Sequence, residues 1–159
     1  MKKLLSLILA SLMLLALASC GKTGSGKSFA IDGQSGADGT HFDVTVAKTD
    51  VVYDEEYDYY YFTLTLDLKN KGKNVSSFPI HVDAYQDGEA LNEDGLCDEN
   101  DEYIADWGAD IWLDPGKSDT ATYSWGLMDD STVTIRFSDV YDDAVLKELT
   151  FDVKGKVNY

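Results

Sequence analysis

The feature that most constrains the fold is an alternation of apolar and polar residues with a period of two. It is longest between Tyr57 and Asn70, where the intervening positions are polar residues or tyrosine. The apolar series of this stretch is Tyr60, Phe62, Leu64, Leu66 and Leu68. Because successive side chains of a β-strand point to opposite faces of the sheet, the pattern predicts a strand with one buried face.

Shorter alternating stretches predict that the rest of the domain is also built from strands. They begin at Phe42, Ile80, Ala121, Val133 and Leu149. Turn signals separate them at 70–74, at Asp87-Gly88 and at Pro115-Gly116, and Asp87-Gly88 is typical of a two-residue hairpin. No stretch has a convincing helical period. The sequence therefore predicts an all-β fold, an antiparallel immunoglobulin-like β-sandwich of about seven or eight strands.

The first 19 residues predict a secretory signal peptide. Met1-Lys2-Lys3 is a positive start, and the apolar run from Leu4 to Leu17 follows it. That run is too short to span a bilayer as a helix, which disfavours the alternative of a retained membrane anchor. Leu17-Ala18-Ser19-Cys20 resembles the lipobox of bacterial lipoproteins. The resemblance implies cleavage before Cys20, a diacylglyceryl group on its sulfur and attachment to the extracytoplasmic face of the cell membrane, and two acyl chains suffice for stable anchoring.

The segment that follows Cys20 predicts a flexible tether over residues 20–40, before a domain at 41–159. It is rich in Gly, Ser, Lys, Asp and Thr, a composition that cannot bury a core. Gly21, Gly26, Lys27 and Ser28 also satisfy the phosphate-loop pattern G-x-x-x-x-G-K-[ST]. That loop needs a buried strand before it and a helix after it. The strand position is occupied by the signal peptide, and Phe29–Thr40 has three glycines and no helical period, so we expect no nucleotide.

The charge of the chain limits its partners. The formal net charge is −16, and removal of residues 1–19 takes away Lys2 and Lys3 and no acid, which lowers it to −18. This balance argues against nucleic acid and against electrostatic attachment to anionic lipid, while positive partners and divalent cations remain open. If Cys20 is lipidated, Cys97 is unpaired, as a buried thiol, a reactive thiol or half of an intermolecular bridge.

Aromatic residues are the first candidate contact surface. Tyr57, Tyr59 and Tyr61 belong to the non-core series of the longest strand, and Trp107 and Trp112 flank Asp110. Exposed tyrosine and tryptophan contact proteins and sugars well, so these five residues are predicted to contact an unknown surface protein or glycan. The alternative is that a neighbouring loop covers them.

An acidic segment at 94–110 is the second candidate, predicted to be a long crossover between the sheets. Its possible metal ligands include Asp94, Asp98, Asp101 and Glu102. Calcium takes six to eight oxygen ligands, so the alternative function is a calcium-binding structural module. No EF-hand pattern is present, and acidic runs are also common as solvated surface.

Catalysis is not predicted. The two histidines, His41 and His81, lie at a strand start and on an outward strand position, and no motif joins either to a nucleophile. A pairing of Cys97 with His81 is the one catalytic alternative, against a plain thiol near the core. We therefore expect no catalytic residues and no cofactor other than calcium in the alternative.

A second resemblance supports the fold. Tyr61–Leu68 runs into Lys69-Asn70-Lys71-Gly72, a strand and hairpin follow at 82–88, and Leu113–Ser118 leads into a Thr/Tyr-rich strand. This resembles the immunoglobulin-like domains of unknown function on Gram-positive surface lipoproteins, over roughly Phe42–Val153. The resemblance implies no shared catalytic residues. Its motifs are turns and strands, so it supports the fold. The anchor together with the aromatic face or the crossover segment predicts a membrane-anchored, non-enzymatic binding module at the cell surface.

Overall fold

The structure is a computed structural model of the 159-residue chain, and it describes residues 26–33, 40–78, 80–94, 96–97, 103–105 and 111–157. These residues form twelve β-strands and no helix. The strands are β1 (Ser28–Gly33), β2 (Thr40–Asp54), β3 (Tyr59–Asn70), β4 (Ser76–Ser77), β5 (Ile80–Gln86), β6 (Glu89–Ala90), β7 (Leu96–Cys97), β8 (Tyr103–Ala105), β9 (Trp112–Leu113), β10 (Ser118–Gly126), β11 (Val133–Asp139) and β12 (Val145–Phe151).

Two four-stranded antiparallel sheets form the body of the molecule. Sheet I has the order β1-β2-β3-β10, and sheet II has the order β12-β11-β5-β6. A short segment at 92–94 extends sheet I, since Glu93 forms a bridge with Trp125 of β10. Without β1, the strands follow the A-B-E-D order on one sheet and G-F-C-C′ on the other, which is the immunoglobulin arrangement. The predicted all-β sandwich is confirmed, with β1 as an additional edge strand.

The core lies between the two sheets, on the faces that the alternation predicts. Phe62, Leu64, Leu66 and Leu68 of β3 are buried, as are the inward residues of β10 and β11. The inward residues of these two strands are Ala121, Tyr123, Trp125, Val133, Ile135 and Phe137. Trp125 stacks on Phe62 with ring centroids 6.4 Å apart. Burial of this apolar surface is what holds the sheets together.

A β-bulge in β2 changes which residues face the core. The register with β3 shifts between Val46 and Lys48, so Ala47 is the additional residue. Before the bulge, Val44 and Val46 point inward; after it, Thr49 and Val51 lie opposite Leu64 and Phe62 on the core side. A bulge inserts one unpaired residue, so the residues that face the core change from even-numbered to odd-numbered positions after it. The second half of this fifteen-residue strand therefore still contributes Thr49 and Val51 to the core side.

The tether predicted at 20–40 is wrong for Ser28–Gly33, which form β1. This strand pairs antiparallel with β2, from Ser28 opposite Thr45 to Gly33 opposite Thr40. Ile31 is 1% exposed, and Phe29 packs edge-on against Phe137 at 5.0 Å between centroids. These two apolar residues, at alternating positions of β1, pack this edge strand against the core. The domain therefore begins near Gly26 and not at residue 41.

The phosphate-loop pattern is part of the same edge. Ser28 begins a strand and not a helix, and its hydroxyl lies 2.9 Å from that of Thr45. Lys27 reaches the Thr150 carbonyl, 3.3 Å away, and its Nζ stands over the ring of Phe151. The amide of Gly26 donates to the carbonyl of Val46 at 2.8 Å, and Ser28 pairs with Thr45, so these two residues of the pattern belong to the edge of the sheet.

Turns end the strands where the sequence predicts them. Asp87 and Gly88 both have positive φ, 49° and 87°, which is typical of a type I′ hairpin turn between β5 and β6. Asn70 at the end of β3 is fully buried. Its amide donates to the carbonyls of Asn74 and Leu113, and its oxygen accepts from the backbone of Gly72. This single side chain joins the β3 turn to β9.

Candidate functional site

A cavity of about 190 Å³ lies beside the outer face of sheet I, and the core residue Leu91 is part of its lining. We call it the tyrosine cavity. Its lining is formed by Tyr59 and Tyr61 of β3, by residues 90–92 and 94, and by Gly126 and Met128. The site therefore lies where the chain leaves sheet II after β6 and joins the edge of sheet I.

The floor of the tyrosine cavity depends on Gly126. Tyr61 is opposite Gly126 in the β3–β10 register, and the ring of Tyr59 lies across the Gly126 backbone. A Cβ at position 126 would lie 2.6 Å from Cε1 of Tyr59, closer than side chains pack. Tyr59 in turn meets Tyr61 edge to face, with centroids 5.5 Å apart. Glycine in a strand often marks such a close approach.

Tyr61 is on the outer face of the sheet but is only 7% exposed. It forms a small apolar cluster with Leu96 of β7, against which Val52 and Tyr59 pack. Burial raises the pKa of Tyr61 above its ordinary value, and the nearby carboxylates of Asp94 and Asp54 raise it further. The hydroxyl of Tyr61 therefore stays protonated beside negative charge over the neutral pH range.

The wall of the tyrosine cavity is held by backbone pairing to β10. The amide of Gly126 donates to the Asn92 carbonyl at 3.1 Å, and the amide of Asp94 donates to the Ser124 carbonyl at 3.1 Å. The hydroxyl of Ser124 donates to the carbonyl of Asp94. Because both backbone groups of Asp94 are bonded, its exposed carboxylate is held at the rim of the cavity beside Tyr61.

The structure divides the predicted aromatic surface. Tyr57 is 69% exposed in the β2–β3 turn, Tyr59 is half-buried and Tyr61 is buried. Trp112 is 66% exposed but pairs with Ser77 beside the other end of β3. The two ends of the twelve-residue strand β3 are about 36 Å apart. Trp107 lies outside the described residues, and the role of this set in ligand contact stays a prediction.

The other predicted site residues are not brought together here. Of the four candidate calcium ligands, only Asp94 is described, and Asp98, Asp101 and Glu102 lie outside the described residues. Within the described ranges no three His, Cys, Asp or Glu side chains are placed to hold a metal ion. Calcium binding by the 94–110 segment stays a prediction. Cys20 also lies outside the described residues.

The two histidines are separate from the tyrosine cavity. Nδ1 of His41 lies 2.7 Å from the Asp32 carboxylate across β1 and β2, and both side chains are exposed. His81 is exposed on the outer face of β5. Cys97 belongs to β7, and its side chain lies outside the part of the chain that the structure describes. The segment predicted as a crossover contains the strands β7 and β8, which pair with each other.

Sequence reasoning missed five of the eight residues that line the cavity. No recognisable motif marks Ala90, Leu91, Asn92, Gly126 or Met128. The one available signal was Gly126, an isolated glycine at the end of an alternating strand, which indicates close backbone approach or a bulge. Nothing local indicates that residue 126 would lie under a tyrosine from residue 59.

Comparison with protein-family models shows which family the chain belongs to. The family model described as a domain of unknown function, DUF5067, matches residues 24–139. The chain belongs to this family. The match begins before β1, in agreement with the observation that β1 is part of the domain. No functionally curated protein shows significant sequence similarity.

Two solved structures have a similar fold. A candidate lipoprotein of Staphylococcus aureus subsp. aureus NCTC 8325 is similar with a TM-score of 0.57 and 13% identity, over 80% of this chain and 94% of that one. A candidate lipoprotein (ycdA) of Bacillus subtilis subsp. subtilis str. 168 has a TM-score of 0.53 and 14% identity, over 86% of this chain and 40% of that one. The chain thus spans less than half of the Bacillus protein. At these identities the likeness concerns the fold.

Among the described residues, no helix has the length and apolar character needed to cross a membrane.

Proposed function

We propose that this member of the DUF5067 family is a lipid-anchored protein of the extracytoplasmic membrane face that binds a partner non-covalently and catalyses no reaction. The anchor would be a diacylglyceryl group on Cys20, in the lipobox-like Leu17-Ala18-Ser19-Cys20. Support for this location comes from that sequence and from the two structural neighbours, which are themselves candidate lipoproteins of Gram-positive bacteria.

The observation that carries the binding role is the tyrosine cavity. It combines two aromatic rings, a carboxylate held at its rim and a floor that only glycine permits. A concave site with aromatic lining and few polar groups is the usual form of a binding site. Both histidines lie elsewhere, and His41 is engaged with Asp32, so the cavity supports binding more than acid–base chemistry.

Membrane attachment can be tested with Cys20→Ala in a Gram-positive expression host. We expect the parent chain to sediment with membranes and to incorporate labelled fatty acid. The variant should lose the label because it has no sulfur to acylate. Cys97→Ala is the matched control and should retain both properties. Fatty acid that persists on the Cys20→Ala variant would contradict the proposed anchor.

Binding through the cavity can be tested by filling it. Asn92 is exposed, lines the cavity and shares a sheet face with Gly126, because its neighbour Glu93 lies opposite Trp125, so Asn92→Trp should occupy the space without disturbing the core. Thr150→Trp, at an exposed position of β12, is the control. After cross-linking on the cells that naturally express the protein, we expect a set of partners that is lost with Asn92→Trp and kept with Thr150→Trp. Equal sets for both variants would overturn the proposal.

A further inference from the structure

The two ends of β3 carry opposite charges. Residues 54–58, in the turn before this strand, include four carboxylates and no basic side chain. Residues 69–75, at its other end, include three lysines and no acid. Lys117 lies beside them, since the amide of Asn70 donates to the Lys117 carbonyl at 3.0 Å. We call residues 54–58 the acidic end, and residues 69–75 with Trp112 and Lys117 the basic end.

The lysines of the basic end are available to a partner. All four are exposed: Lys69, Lys71, Lys73 and Lys117. Within the described part of the chain only Lys71 forms an ion pair, with Asp43 at 3.5 Å. Counting Asp43 and Asp114 of the adjoining turn, four positive charges stand against two negative ones. Asp142 and Asp143, in the β11–β12 turn, belong to sheet II, so the positive surface is confined to sheet I and its turns.

Exposed apolar side chains accompany these lysines. Trp112 is 66% exposed and Val75 is 55% exposed. Trp112 precedes Leu113, whose carbonyl accepts from the buried amide of Asn70, so β9 is fixed to the turn after β3. Lysine and tryptophan on one surface suit a layer of anionic lipid headgroups, because ammonium groups attract the phosphates and tryptophan favours the membrane interface.

The proposed anchor brings the basic end within reach of the membrane. This step rests on the proposed function, because it assumes a lipid on Cys20. The amide of Gly26 donates to Val46, and the amide of Lys71 donates to His41. His41 and Val46 are about 17 Å apart along β2. The chain from Cys20 to Gly26 spans up to about 20 Å, so the lipid can lie level with the basic end.

We infer that the basic end docks on the anionic headgroups of the membrane to which the protein is anchored. The acidic end then points away from the membrane, because the same headgroups repel its carboxylates. The tyrosine cavity is lined by Tyr59, at the acidic end of β3, and by Gly126, at the end of β10 that pairs with it. Docking through the basic end therefore turns the tyrosine cavity away from the lipid, towards a partner.

The test uses the lipidated chain, purified from a Gram-positive host and inserted into nanodiscs of phosphatidylcholine with or without phosphatidylglycerol. A gadolinium chelate on a lipid headgroup broadens the amide NMR signals of residues near the bilayer. We expect stronger broadening at Gly72 and Lys117 than at Glu56 and Asp58. The difference should fall without phosphatidylglycerol and at high salt, because salt screens the attraction. Equal broadening at both ends in the presence of phosphatidylglycerol would overturn the inference.

Two double variants test the lysines. Lys69→Gln with Lys73→Gln should lower the ratio of docked to undocked protein, read from the broadening at Gly72, about fivefold for each lysine removed. Lys154→Gln with Lys156→Gln removes the same charge from exposed positions after β12 and should leave that ratio unchanged. An equal loss in both double variants would contradict docking through the basic end.

The aromatic contact has a matched control of its own. Trp112→Gln should reduce the broadening at Gly72, because it removes the exposed ring of the basic end. Tyr57→Gln removes a ring that is 69% exposed at the acidic end, and it should have no effect. The same response to both substitutions would count against the proposed orientation.

Mass spectrometry of the purified chain distinguishes failure of this inference from failure of the proposed function. If Cys20 carries the lipid and both ends of β3 are broadened equally, the anchor stands and only the orientation is wrong. If Cys20 carries no lipid, the proposed anchor fails, and the inference that depends on it fails as well.

Discussion

At the scale of single residues, two buried amides and several carboxylates at turns hold the loops in place. Gln86 is nearly inaccessible, and its amide nitrogen donates to the carbonyls of Asp129 and Ser131 while its oxygen accepts from the amide of Met128. Asn70 plays the same part at the other end of the sandwich. Removing such a side chain lowers the free energy of unfolding, because the backbone groups that it bonded stay buried without a hydrogen-bond partner.

The effect of Asn70→Ala follows from this geometry. The substitution leaves two carbonyls and one amide without their partner, and we expect the free energy of unfolding to fall by about 3 kcal/mol. Denaturant titration measures it. Asn74→Ala is the control, because Asn74 is exposed and accepts from Asn70 through its backbone carbonyl. An equal, small loss in both variants would show that Asn70 does not organise this turn.

Tyr53 gives a prediction about alkaline pH. Its hydroxyl donates to the Asp58 carboxylate at 2.5 Å, and this hydrogen bond, assisted by burial and by the charge of Asp58, raises the pKa of Tyr53 from 10.0 to about 12. Because the folded-state pKa lies above the unfolded one, the stabilisation is complete below pH 10 and is lost as the pH rises through 12. Asp58→Asn should return the pKa towards 10.

The measurement is an absorbance titration of the phenolate, with Tyr53→Phe to assign the late transition. Asp58 has a positive φ of 52°, and asparagine accepts that conformation, so the variant should keep the turn. The stability difference between parent and variant should be constant below pH 10 and should narrow above it. A late transition that is unchanged in Asp58→Asn would contradict the assignment.

At the scale of elements, the alternating pattern identified most of the strands but not their edges. The even-numbered face of β3 is buried as predicted, since a long strand with a uniform apolar series has one register that hides it. The bulge at Ala47 could not be read from the sequence. It becomes favourable because Val51 and Thr49 then cover the same core as Val46.

The edge strand β1 supplies the prediction at this scale. Ile31→Ala should lower the free energy of unfolding by about 3 kcal/mol, since it removes a side chain buried between the sheets. Leu146→Ala, on the edge strand β12 where leucine is 36% exposed, should cost much less. Thermal or denaturant unfolding of the two variants compares them. If Ile31→Ala left the free energy of unfolding unchanged, residues 28–33 would be a tether and not part of the folded domain.

At the scale of the whole molecule, the position of β1 sets how far the domain would stand from a membrane under the proposed anchor at Cys20. Five residues separate Cys20 from Gly26, and the six steps between their Cα atoms reach about 20 Å when the chain is fully extended. Gly26 pairs with Val46, in the middle of β2, and not at an end of the sandwich. An anchor at Cys20 would therefore hold the domain close to the lipid surface.

Neutron reflectometry of the lipidated chain on a supported bilayer tests this arrangement. We expect protein density to begin at the headgroups, without a water layer thicker than about 20 Å. Insertion of 20 Gly and Ser residues after Ser25 should broaden the protein layer and move it outward, because such linkers behave as flexible coils. A thick water layer in the parent protein would indicate that β1 detaches when the chain is anchored.

The sequence by itself determined the class of the fold, the inward faces of the long strands, the hairpin at Asp87-Gly88 and the prediction of an anchor at Cys20. These depend on neighbours along the chain: alternation, turn chemistry and a terminal motif. The tertiary structure decided the rest. Tyr61 is covered by Leu96, Gly126 lies beneath Tyr59, and Ile31 completes the core. Each of these contacts joins residues that are distant in the chain, so their effect exists only after the two sheets have packed together.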